Sequence, residues 1–336
     1  MVSVTLPKAD SYRRNHLLRE ASWQAVYDVM REDRSVHVFG EGAQVKAFYD
    51  APTLKADFGD RIHTMPICED GSTNFCVGAA LAGVKPLVDV IGSDFLYRTM
   101  DSITNTAAKL ETVRSEPHTI VIRAEFLTGG PTTGQRPEAL FAHIPGLRVV
   151  IPSTPRDAYG LMWTALRSPG VTLFFEDRMI EDGGFFQEDD LVVGKPIPFG
   201  TGEYRKFGQR GICTIVTYGV MRQRVEALLA PMVKDGDYYK EPNLDAGIVD
   251  LRSIYPVDFA LIRYALGRTG RLLIIEPDVT YGGVGAEIAA QIAQEMPHIR
   301  IKRLGAPRDT IPADPSLHKR LLPSEQEMRD AIASFD

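Results

Sequence analysis

Met65-Pro66-Ile67-Cys68-Glu69-Asp70-Gly71-Ser72 is followed by a run of small residues from Thr73 to Gly83. Pro66 biases the residue before it toward an extended backbone, and Gly71-Ser72 supplies a turn and a helix cap. The stretch therefore reads as a loop that carries one carboxylate, Glu69, to the mouth of an apolar helix. That helix contains Gly78, Ala79, Ala80, Ala82 and Gly83, small enough to let another backbone or a flat ligand come close. Two roles fit Glu69. It is either a placed functional acid or, with Asp70, a charge that complements the helix dipole for roughly a few tenths of a kcal/mol.

Working outward, residues 86–91 form a strand after this helix. Upstream, residues 16–32 repeat apolar side chains at helical spacing and residues 36–39 read as a short strand. Gly40-Glu41-Gly42 ends that strand as a ligand-facing loop, and residues 43–64 read as a surface stretch. Downstream come a helix at 96–110, a strand at 119–123, a Gly/Thr-rich loop at 128–135 and a short helix at 137–143. A strand at 147–151, a helix at 155–167 and a strand at 171–176 follow. Strands alternating with helices predict a parallel sheet covered on both faces, hence an α/β fold. The expected organisation is a tail at 1–14, a first domain at 15–185, a linker at 186–210 with an edge strand at 191–193, and a second α/β domain at 211–336. Within the second domain, residues 212–218, 246–250, 271–275 and 299–304 read as strands. Helices are expected from 219 through 232 and at 286–295.

Composition narrows the function classes. The 336 residues carry a net charge of −6 with no basic block, which argues against nucleic acid or an anionic membrane as partner. No apolar run approaches the roughly 20 residues that cross a bilayer, and the first 14 residues are not followed by a secretory apolar region. Cys68, Cys76 and Cys213 lack metal-ligand spacing and read as reduced thiols in a cytoplasmic compartment. No metal site is expected in this chain.

Tyr281-Gly282-Gly283-Val284-Gly285-Ala286-Glu287 could bring backbone N–H groups to a phosphate. The G-x-G-x-x-G spacing is missing and no acid about 20 residues on is placed for a ribose. Close packing or a subunit contact is the better use, which weakens an NAD-dependent oxidoreductase.

With these residues in hand, the chain resembles the β subunits of the thiamin-diphosphate-dependent 2-oxo acid dehydrogenases, the E1 components of pyruvate and branched-chain type. The likeness runs through Val38-Phe39-Gly40-Glu41, Pro66-Ile67-Cys68-Glu69, Val77 to Gly83, Asn105-Thr106-Ala107-Ala108-Lys109, Pro137 to Leu147, Asp250-Leu251-Arg252 and Gly282 to Ile288. Each block alone is weak; their order and spacing make them specific. The resemblance implies two domains with parallel or mixed sheets, a transketolase-like pyrimidine-binding domain and a transketolase C-terminal domain. It implies thiamin diphosphate as cofactor, with the diphosphate and Mg²⁺ held mainly by a partner α subunit in an α₂β₂ assembly. That subunit carries a G-D-G…N-N motif absent here, since Lys234-Asp235-Gly236-Asp237 lacks both its leading glycine and its Asn pair.

Glu69 matches the family's cofactor-activating glutamate, which hydrogen-bonds N1′ of the aminopyrimidine and favours the tautomer that takes the proton from thiazolium C2. Phe95 matches the aromatic that stacks on the pyrimidine, its alternative being a core ring. Glu41 matches a glutamate near the same pocket, and Ile91 is placed with them.

The chain departs from the family where an H-S-Q segment is expected. Thr133-Gly134-Gln135 stands there, and no histidine lies in the loop. The resemblance thus leaves activation by Glu69 intact and puts acyl transfer in question. His143 and His63 are further candidates for a substrate or acceptor pocket, with Thr133 and Gln135. Two outcomes remain open: oxidative transfer to a lipoyl-bearing acyltransferase, or non-oxidative carboligation or decarboxylation. A non-catalytic assembly partner is a third reading, opposed by the joint presence of Glu69 and Phe95.

Overall fold

The computed structural model describes residues 17–41, 52–115, 117–182, 195–209, 211–230, 232–234, 237–239 and 244–335. The tail expected at 1–14 and the edge strand expected at 191–193 lie outside them, as do the two central residues of the acidic turn at 234–237.

The first half runs α1 (Leu17–Glu32), β1 (Val36–Glu41), α2 (Pro52–Phe58), β2 (Ile62–Met65), α3 (Glu69–Leu81) and β3 (Lys85–Gly92). It continues with α4 (Leu110–Arg114), β4 (Thr119–Phe126), α5 (Glu138–Ala142), β5 (Leu147–Val150), α6 (Pro155–Arg167), β6 (Gly170–Asp177) and α7 (Arg178–Asp182). Its six strands pair in parallel in the order β5-β6-β4-β3-β1-β2. Neighbouring residues along a strand face opposite sides, so both faces need cover. Leu87, Val121 and Phe174 pack under Val26 and Val29 of α1 and Leu161 of α6. Val88 and Ile122 pack on the other face with Cys76, Val77 and Ala80 of α3.

The second half supplies β7 (Glu203–Phe207), β8 (Cys213–Thr217), α8 (Gly219–Leu229), β9 (Met232–Lys234), β10 (Asp237–Tyr239), β11 (Ala246–Asp250) and β12 (Ser253–Tyr255). Then follow α9 (Phe259–Thr269), β13 (Arg271–Val279), α10 (Val284–Glu295), β14 (Arg300–Ala306), α11 (Pro315–Leu321) and α12 (Glu325–Ala333). Its sheet has the order β14-β13-β8-β11-β7, parallel except for the antiparallel edge strand β7.

Several expectations are corrected. The stretch at 43–64 contains α2 and β2, and β2 pairs with β1. The helix expected at 96–110 is a path of tight and wide helical turns from Ser93 to Lys109, giving way to α4 only at Leu110. The run read as a linker contains β7, whose charged residues fit an edge strand wetted on one side. The helix expected through 232 stops at Leu229, and β9 and β10 form a hairpin.

The halves are joined through their backbones and their charges. β12 crosses over and pairs antiparallel with β5, extending the first sheet to seven strands. Around that crossing, Ser153 donates its hydroxyl to Asp250 at 2.9 Å, and Arg252 reaches Asp157 at 2.7 Å. One hydrophobic core runs across the junction, from Phe141 and Val149 to Val216, Val249, Ile254 and Ile288.

Candidate active site

The parallel strands β1 and β3 end side by side, where a doubly covered sheet opens its crevice. Strand β3 is bulged there, its register against β4 shifting between Asp89 and Gly92. Ile91 has φ of +64°, and the Asp89 carboxylate accepts its N–H at 3.1 Å. A β-branched residue in the left-handed region costs about 1–3 kcal/mol and persists only where its surroundings impose it. The next residue, Gly92, has no Cβ to obstruct its neighbours. A Cβ there would sit 2.7 Å from Leu127 Cδ1 and 3.1 Å from Phe95 Cε2. The Phe95 ring is therefore seated directly on the strand end.

Glu69 is the first residue of α3, not a residue of the loop before it. Ser72 lies inside the helix, where its N–H bonds the Cys68 carbonyl at 2.8 Å; it does not serve as the cap. Cys68 occupies the cap position without a side-chain cap bond, and its own N–H donates to Glu41 Oε1 at 2.9 Å. Strand β1 thus fixes the start of the helix that carries Glu69. Glu69 is 7% exposed, and Arg98 Nε lies 3.4 Å from its Oε2 while the Arg98 side chain is 74% exposed. Glu41 is buried, and burial pushes its carboxyl up, helped by the charge of Glu69 and opposed by the Cys68 N–H. The far side of α3 is tied to the segment carrying Phe95, because Ser102 donates its hydroxyl to Asp70 and accepts from Asn74.

Beneath these residues lies a buried charge network. Arg123 reaches Asp89 at 3.0 Å, Glu125 at 2.8 Å, and Glu176. The Asp89 that holds the Ile91 N–H is thereby held in turn.

The other candidates are spread more widely. His63 sits on β2, its ring stacked 4.6 Å from Phe39 and its Nε2 2.9 Å from His37 Nδ1. Its register partner is Phe39, whereas Glu41 pairs with Met65, so His63 belongs to an aromatic stack two residues below the strand ends. His143 ends α5 and lines a cavity of about 660 Å³ with Tyr255, Phe259, Gly282 and Gln291, away from the Glu69 group. Thr133 donates its hydroxyl back to the Gly129 carbonyl within its own loop. Gln135 is brought to the site, since its N–H donates to Asp94, the residue before Phe95, at 2.8 Å. The histidine that touches this loop comes from α11: His318 packs on Gly134. Nothing local in the sequence marks His318, because 184 residues separate the two positions in the chain.

The glycine-rich turn at 282–285 is filled from within. Glu276 accepts the Gly285 N–H at 2.9 Å, and a Cβ on Gly285 would lie 2.7 Å from Glu276 Oε1. An internal carboxylate occupies the α10 N-terminus, where a dinucleotide phosphate would have to bind.

A shielded carboxylate paired with a solvent-facing arginine, with an aromatic plate and a second acid close by, could hold a flat, nitrogen-bearing ring. The aminopyrimidine of thiamin diphosphate fits that donor set. Among the described residues, no group of three or more His, Cys, Asp or Glu could hold a metal ion.

Comparison with known proteins shows the family. Residues 16–180 match the transketolase pyrimidine binding domain, and residues 205–328 match the transketolase C-terminal domain. The chain is 32% identical over 334 residues to the pyruvate dehydrogenase E1 component subunit beta of Rickettsia bellii, covering 94% of this chain and 97% of that protein. It is 31% identical over 326 residues to the 2-oxoisovalerate dehydrogenase subunit beta of Bacillus subtilis, covering 92% and 94%. It is 30% identical over 330 residues to the acetoin:2,6-dichlorophenolindophenol oxidoreductase subunit beta of Cupriavidus necator, again covering 92% and 94%. A solved structure of a split gene transketolase, described as an inactive β4 tetramer, shares the fold with a TM-score of 0.74 at 20% identity, covering 94% of this chain and 97% of that chain. The chain therefore belongs to the transketolase-like E1 β subunits of the thiamin-diphosphate-dependent 2-oxo acid dehydrogenases.

Proposed function

We propose that this chain works with an α subunit, as an α₂β₂ assembly, to decarboxylate a 2-oxo acid and pass the acyl unit to a lipoyl-bearing acyltransferase. The observation that carries the proposal is Glu69, shielded at the first turn of α3 beside the strand end that seats Phe95. When bound, thiamin diphosphate supplies an acidic thiazolium carbon and an electron sink for the loss of CO₂. Glu69 would hold a proton at N1′ of the aminopyrimidine, Phe95 would stack on the ring, and Ile91 and Glu41 would line its edges. Arg98 would leave the Glu69 carboxylate as the ring arrives, since the arginine side chain already faces solvent. The diphosphate and Mg²⁺ fall to the α subunit. Gln135 would line the acceptor side, with Thr133 tied back to its own loop at the Gly129 carbonyl.

Three cysteines without disulfides suit a cytoplasmic setting. No helix among the described residues is long and apolar enough to cross a membrane.

The test is to assemble the full chain with an α-type chain bearing the G-D-G…N-N motif. Pyruvate or 2-oxoisovalerate is then supplied with lipoamide or with an aldehyde. Acyl-dihydrolipoamide is the expected product. Accumulation of a hydroxyketone instead would favour carboligation, and tight thiamin diphosphate binding by this chain alone would refute the division of labour between subunits.

A further inference from the structure

The loop from Leu127 to Gln135 is held from two sides. From the first half, Asp94 accepts the N–H groups of Gly134 at 3.1 Å and Gln135 at 2.8 Å, and Ser93 donates its hydroxyl to the Gln135 carbonyl at 2.9 Å. Asp94 immediately precedes Phe95, and Leu127 meets the same Gly92 surface as the Phe95 ring. From the second half, Gly130 donates its N–H to the Ala313 carbonyl at 2.8 Å, and Gly129 faces the Pro315 ring.

His318 closes this clamp. It is 2% exposed, and its Nε2–H donates to the Pro312 carbonyl at 2.6 Å, which fixes the plane of the ring. Its Cε1 would lie 2.9 Å from a Cβ at Gly134, as would Ile311 Cγ2, and Gly134 has φ of +104°. Only a glycine at 134 lets the imidazole close on the loop at this distance and backbone angle. Burial pushes the Asp94 carboxyl up, opposed first by the Gln135 and Gly134 N–H groups that the loop donates to it.

We propose that His318 is a positioning residue for the cofactor ring: it presses the loop at 127–135 onto Asp94 and so sets the Phe95 ring against Gly92. The C-terminal half thereby reaches the segment that carries Phe95. The proposal rests on reading Phe95 as the residue that stacks on the cofactor.

The experiment uses the full chain assembled with its α subunit and follows hydrogen exchange alongside titration with thiamin diphosphate and Mg²⁺. His318→Ala should speed exchange at Gly134 and Gln135 by about tenfold or more, leave residues 119–126 of β4 unchanged, and weaken cofactor binding about fivefold. Gly134→Ala keeps the histidine but drives it off the loop, so it should reproduce both effects. His318→Gln, which keeps a donor for Pro312, should restore most of the loop's protection. Unchanged exchange at 127–135 in His318→Ala, or faster exchange in β4 and the loop alike, would overturn the positioning role. A loosened loop with unchanged cofactor affinity would overturn its link to Phe95. If the wild-type assembly takes up no thiamin diphosphate, the proposed function fails, and the exchange measurements still decide whether His318 holds the loop.

Discussion

Glu41 Oε1 accepts the backbone N–H of Cys68 at 2.9 Å, so the last residue of β1 anchors the cap of the helix whose first residue is Glu69. The acceptor oxygen is what matters for this bond, while the charge acts on Glu69. Glu41→Ala removes both and should lower kcat/KM of the assembled enzyme about 10- to 100-fold, the worth of a hydrogen bond to a charged group. Glu41→Gln keeps an oxygen for Cys68 and should cost less than about fivefold. Equal losses in the two variants would show that the hydrogen bond does not place Glu69.

Glu69→Gln should reduce turnover by about 10²- to 10⁴-fold, the range for removing a proton-transfer group. Its effect on stability should be small, about 0.3–1 kcal/mol, because what is lost is a carboxylate at a helix N-terminus. Steady-state rates with a thermal melt on the same sample separate the two. An active variant refutes the role of Glu69.

Arg123 lies between Asp89, Glu125 and Glu176, and all four residues are buried. Arg123→Met leaves Asp89 and Glu176 without their cation, while Glu125 keeps Arg19 at 3.4 Å, and should destabilise the fold by about 3–5 kcal/mol in urea unfolding. Asp89 also holds the Ile91 N–H, so the same variant should loosen the strained end of β3. A loss below about 1 kcal/mol would mean that the acids simply take up protons instead.

Glu138 is fully buried, and burial raises its carboxyl to about 7; Arg136 opposes this and Asp278 adds to it. A carboxyl whose folded pKa lies above its unfolded value binds its proton more tightly in the folded state. Its contribution to stability is therefore greatest below the unfolded value of 4.5, is lost as pH rises to about 7, and is flat beyond. The shift corresponds to about 3 kcal/mol at most. Glu138→Gln should flatten the fall in Tm between about pH 5 and pH 7.5. Asp250 and Asp278, raised to about 7 and about 6 by burial first, should retain their share of that slope. An identical fall in the variant would show that Glu138 does not titrate in this range.

The alternation of apolar strands and amphipathic helices, and the Pro66-to-Ser72 stretch, were enough to specify an α/β chain in two halves with Glu69 at a helix mouth. These are local signals: period, turn residues and caps act over a few positions, so a single sequence displays them. Edge strands such as β7 and β2 were missed because a half-wetted strand tolerates charge and looks like a loop. The crossing of β12 into the first sheet and the Glu276 carboxylate under Gly285 were also invisible, as was the seating of His318 on Gly134. Each joins residues that are distant in sequence or on different elements, and it forms only when packing repays the entropy of bringing them together. The chain's own order of residues thus settled which acid stands at the helix start. Tertiary packing alone decided which neighbours hold that acid, why Ile91 is strained, and that a histidine from the far end of the chain closes on the loop beside Phe95.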